Sequence, residues 1–164
     1  MSMEQAIITW VHLVSAAVWV GGSLFIGAVL APLLKKMSMP LEERIKMMVQ
    51  VGRRFNKIAV PSLIILIVSG LYNSQQVFTN PENLLATSYG SFLLVKIILV
   101  IALIIAFIVH VRIIRKDVEE KIISKKMTDD QIQKLRKKII ILGEIIVIIS
   151  VAVLFFAALL DAGV

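Results

Sequence analysis

Cysteine is absent from this 164-residue chain, and histidine occurs only twice. Without thiols there is no disulfide, no thiolate metal site, no iron–sulfur cluster and no c-type haem attachment. Arginine is missing from residues 5–34, 58–81, 83–111 and 139–160, where Lys96 and Glu144 are the only charged side chains. Each stretch is long enough to supply the roughly 20 apolar residues of a transmembrane helix. Soluble-enzyme signatures are missing too: no P-loop, no His-Glu-x-x-His, no Gly-x-Ser-x-Gly and no glycine-rich dinucleotide fingerprint.

Against these absences stands a sharply sorted positive charge. Of the 18 Lys and Arg residues, 17 fall in segments 35–57 and 112–138, and Lys96 is the exception. Four spans put both basic segments on one side, which the positive-inside rule makes the cytoplasm. The expectation is all-α: an integral membrane four-helix bundle in the plasma membrane, multi-pass, with N and C termini outside. It forms one domain over 1–164, with spans at about 6–34, 58–78, 89–111 and 139–161. A composition of 59% hydrophobic residues and a mean hydropathy of +0.91 agree. In a soluble protein a net charge of +7 would suggest nucleic acid. Here the basic residues flank hydrophobic spans, so they read as topology signals and contacts with the lipid bilayer, and no nucleic-acid partner is expected. The first span is too long for a signal h-region and has no basic n-region before it, so it reads as a retained helix.

Segment 38–56 places Leu41, Ile45, Met48 and Val49 at helical spacing with charges opposite, which predicts a short amphipathic cytoplasmic helix between helices 1 and 2. Thr128-Asp129-Asp130-Gln131 has capping-box form and predicts the start of helix 4. Helix 3 is expected to run past Arg112, so helices 3 and 4 form a charged hairpin inside. Residues 79–88 make the only substantial external loop.

Candidate chemistry is confined to a few polar residues within the spans, and depth sorts them. At a rise of about 1.5 Å per residue, His12 and Lys96 both lie one and a half to two turns below the outer interface. His110 is 14 residues beyond Lys96, roughly 21 Å deeper by the same rise. The two histidines therefore cannot ligate one ion, and a bis-His haem between helices 1 and 3 is excluded. Two polar sites result: an outer pair, His12 and Lys96, and an inner pair, His110 and Glu144, with Arg112 beside it. No carboxylate lies at the depth of Lys96, and a lone intramembrane charge is a functional hypothesis by default. The bland alternative is that Lys96 snorkels to the headgroups. A neutral amine and a neutral imidazole each offer a lone pair, a donor set for transition metals or haem iron rather than for Mg²⁺ or Ca²⁺. Trp19, Gly22, Ser69, Asn73 and Tyr89 are candidate lining residues around the outer pair.

Four pieces of the chain resemble, in order, the copper-resistance CopD family: HLVSAAVWVGGSLFIGAVLAP (12–32), VGRRFNKIAVPSLIILIVSGLYN (51–73), TSYGSFLLVKIILV (87–100) and HVRIIR (110–115). The likeness spans most of the first three helices, and helix 4 matches only as an apolar span. The helix 1 His and helix 3 Lys also resemble the pair in HemJ-type protoporphyrinogen oxidases, which implies a b-type haem at His12 and Lys96. Ala31-Pro32, at the end of helix 1, follows the CopD pattern instead.

Three functions follow. The first is haem b held in the outer half of the bundle, for electron transfer or oxidase-type chemistry, although only Asn73, Gln75, Gln76, Ser88 and Tyr89 are at hand for the propionates. The second is copper transport or copper resistance across the membrane. Cu(I) prefers sulfur ligands, yet all seven Met residues (1, 3, 37, 39, 47, 48 and 127) lie at or outside the membrane edges. Met1 and Met3 near His12 are the external copper ligands on offer. The third is a non-catalytic membrane subunit whose basic inner face docks a redox partner or another subunit.

Overall fold

The computed structural model of the protein describes residues 2–75, 85 and 87–163. Thr79-Asn80-Pro81-Glu82, the last three residues of the expected second span, Met1 and Gln76 lie outside the described residues. Among the described residues the chain is helical: α1 (Met3–Lys36), α2 (Leu41–Asn73), α3 (Ser88–Ile113), α4 (Lys116–Ile123) and α5 (Asp129–Ala162). Four of these rods are long and apolar enough to cross a membrane, α4 counting as the continuation of α3. α1 has 34 residues, about 51 Å at 1.5 Å per residue. That exceeds the roughly 30 Å hydrocarbon core.

Local chemistry sets the helix ends. Ser2 and Gln5 form a capping box, so α1 starts at Met3, a few residues before the apolar run alone suggests. The expected capping box at Thr128 and Gln131 is present and starts α5. Gly163 takes a left-handed φ of 71° and ends it. Thr87 accepts a hydrogen bond from the Gly90 amide and caps α3. α3 breaks at Ile114, and α4 turns back against α2.

Segment 38–56 differs from its expectation. It is helical, but it is the first half of α2 rather than a separate surface helix. Hydropathy changes at Ile58, yet the buried face continues in register through Ile45, Val49, Ala59 and Leu63. Pro61 does not break the rod, and next to it Ser62 donates to the Ile58 carbonyl at 2.8 Å.

The buried side chains form two clusters. One, in the middle of the spans, joins Trp19, Val20, Ala59, Leu63, Leu103, Phe107 and Ile146. The other lies at the end carrying the basic segments and joins Ile45, Val49, Ile114, Ile122, Ile132 and Ile139. α1 packs chiefly along α2 and α3 along α5, while α2 and α3 barely touch. Gly22 lets α1 approach α2 closely: a Cβ there would stand 2.2 Å from the Phe55 ring.

Candidate functional site: a cavity shared by His12 and Lys96

The poor contact between α2 and α3 leaves a cavity of about 290 Å³ in the half of the bundle that carries the chain termini. All four long helices line it. His12, Ala16 and Trp19 come from α1, Leu66, Gly70 and Ser74 from α2, Leu93, Lys96 and Val100 from α3, and Ser150 and Ala157 from α5, with further aliphatic side chains between them. His12 and Lys96, placed at one depth by counting residues, therefore reach the same space. Both are half-buried, and the rest of the wall is almost wholly apolar.

Behind the imidazole, His12 Nδ1 lies 2.7 Å from Ser69 Oγ, whose hydroxyl donates to the Ile65 carbonyl at 2.5 Å. Gly70 lies beside the ring, where a Cβ would make an ordinary van der Waals contact at 3.6 Å from His12 Cε1. Trp19 lies at the deep end. Its indole N–H donates to Ser150 Oγ at 3.0 Å, and its ring meets Phe107 edge-on with centroids 4.8 Å apart. Trp19 is carried on a π-helical turn, Ala17–Gly21. Such turns are rare and concentrate at functional sites.

The other candidates fall differently. Trp19 does line the cavity, and Ser69 stands behind His12. The space beside Gly22 is filled by Phe55. Asn73 and Tyr89 are exposed and outside the lining.

The inner pair is not brought together. His110 Nδ1 is buried with no hydrogen-bond partner among the described residues, while Glu144 and Arg112 are exposed. Glu144 is two residues from buried Ile146, about 200° round the helix at 100° per residue, so it faces away from the core.

The polar cluster actually formed at the basic end is one that sequence reasoning missed. Glu119 of α4, only 8% exposed, accepts from Gln50 at 2.7 Å and pairs with Arg53 at 2.5 Å, both on α2. A signal existed, since Glu119 sits between Val118 and Ile122 on a short amphipathic helix. Ser150 was missed as well, although it is the only hydroxyl in 139–160.

Among the described residues no group of three or more His, Asp or Glu is placed to hold a metal ion. The fold and the cavity define a polytopic helical membrane protein with two nitrogen donors facing one apolar chamber. The chain belongs to the copper resistance protein D family, whose model matches residues 49–160. The match takes in Ser69 and Lys96 and continues through α5, but it begins after α1, so His12 and Trp19 lie outside it. The chain is also similar to the copper transport protein CutJ of Bacillus subtilis (strain 168), at 31% identity over 107 residues. That alignment covers 65% of this chain but only 19% of the relative. No solved structure matches.

Proposed function

We propose that this protein handles copper in the membrane, holding the ion between His12 and Lys96 during its passage. The observation that carries the reading is the meeting of these two side chains, from α1 and α3, in one apolar cavity of a copper resistance family member. Imidazole suits copper, and a neutral amine is a second nitrogen donor. Two nitrogen ligands without sulfur hold Cu(I) weakly. Weak binding suits conduction, where an ion must leave as readily as it arrives. Passage further requires Trp19 to move, because its ring stands at the deep end of the cavity.

Haem b is the second reading, favoured by the same pair of nitrogen donors. The cavity does not fit the rest of the group: apart from Lys96, its lining holds no cation to meet propionates, and Phe55 fills the space beside Gly22.

Competition against a chromophoric chelator measures Cu(I) binding by the detergent-purified protein. His12→Ala and Lys96→Ala are each expected to weaken Cu(I) by about tenfold or more, that is by at least about 1.4 kcal/mol, and to slow copper uptake into proteoliposomes. His110→Ala is expected to leave affinity unchanged. Equal affinity in all four proteins would reject the site, and a Soret band in the purified wild type would favour haem.

A further inference from the structure

The short contact behind His12 fixes a hydrogen count. Ser69 Oγ and the Ile65 carbonyl oxygen are 2.5 Å apart. Two oxygens approach that closely only with a hydrogen between them, and a carbonyl has none to give. The hydroxyl proton of Ser69 therefore lies on that bond. Ser62, one face-repeat earlier on α2, makes the same bond to the Ile58 carbonyl at 2.8 Å. Returning the proton to the preceding turn is thus the ordinary habit of a serine in this helix, as expected where no water is at hand.

With its proton committed, Ser69 Oγ has only lone pairs for His12. The 2.7 Å contact to Nδ1 is a hydrogen bond only if the ring supplies the proton. A neutral imidazole with hydrogen on Nδ1 carries its lone pair on Nε2. The reverse arrangement would set two lone pairs against each other at Nδ1. We infer that Ser69 is a positioning residue that holds His12 in the Nδ1–H form and so reserves Nε2 as the metal donor. Metal-binding histidines commonly donate their second ring nitrogen in this way, which fixes the tautomer and raises basicity. Ser69 is buried, so no solvent competes for the bond. The metal-donor part of the inference rests on the proposed copper site, whereas the proton assignment does not.

The two are tested separately. Histidine ¹⁵N shifts of the metal-free protein, recorded in a His110→Gln background so that one imidazole remains, report the tautomer directly. The wild-type residue 69 should give Nδ1 protonated and Nε2 bare. Ser69→Ala should shift the ring towards the Nε2–H form and weaken Cu(I) binding by about 10–100-fold, the usual cost of losing such a partner. Ser69→Thr keeps the hydroxyl and should restore both. A purely structural role for Ser69 would leave the tautomer untouched. An Nε2–H ring beside Ser69, or a tautomer that ignores Ser69→Ala, overturns the inference. If the tautomer moves as expected while His12→Ala leaves Cu(I) affinity unchanged, the copper reading fails and the proton assignment stands.

Discussion

Lys96 is the residue whose substitutions discriminate most. As a copper ligand it acts through a lone pair, so what matters is the donor atom rather than the charge. Lys96→Met replaces the amine with a thioether, a ligand that Cu(I) prefers, and is expected to match or exceed wild-type Cu(I) affinity. Lys96→Arg keeps the charge but offers no lone pair, because guanidinium is not deprotonated in proteins. It is expected to behave like Lys96→Ala. A lysine that merely reaches for the headgroups is no ligand, so all three variants would keep wild-type Cu(I) affinity and Arg would be the best tolerated for stability. Ranking the Cu(I) affinities of the three variants decides between these roles. The depth of this side chain was legible in the sequence because helix rise is uniform. The His110–Glu144 pairing failed for the complementary reason: depth says nothing about azimuth, and Glu144 is turned away from the core.

At the scale of elements, the starts of α1 and α5 follow from short polar motifs, and the start of α5 was readable as such. The continuity of α2 was not, because its composition changes at the membrane surface while its buried stripe does not. What holds the first half of α2 to the hairpin is the apolar cluster around Ile45, Val49, Ile122 and Ile132, joined by Glu119 with Gln50 and Arg53. Hydrogen bonds to charged groups are worth about 1.5–3 kcal/mol each, and Arg53 is partly exposed, so the lower figure is appropriate. Glu119→Ala is therefore expected to loosen α4 by about 1.5 kcal/mol, seen as faster amide exchange over 116–123 with exchange in α3 and α5 unchanged. Unaltered exchange would assign the docking of α4 to the apolar cluster alone.

At the scale of the whole molecule, the sorted charge orients the protein: the basic segments are proposed to face the cytoplasm, with both termini outside. The natural absence of cysteine gives a clean background for a test. Ser88→Cys and Ser124→Cys occupy opposite ends of the bundle, and both positions are exposed. An impermeant thiol reagent added to intact cells should label Ser88→Cys alone, and only membrane disruption should expose Ser124→Cys. Labelling of both from outside would discard the four-span arrangement, and labelling of Ser124→Cys alone would invert it. The unbroken course of α2 has a mechanical consequence. Arg53, anchored to Glu119 beyond the membrane-spanning part, and Ser69, beside His12 within it, lie on one rod about 24 Å apart at 1.5 Å per residue. A tilt of that rod by about 5° about Arg53 carries the far hydroxyl roughly 2 Å, enough to part it from the imidazole. The lever has one point of give, at Pro61, where the backbone lacks a donor. A load on the hairpin at the basic end that tilted α2 would therefore reach the histidine to the extent that Pro61 does not absorb it and α1, packed along α2, does not follow.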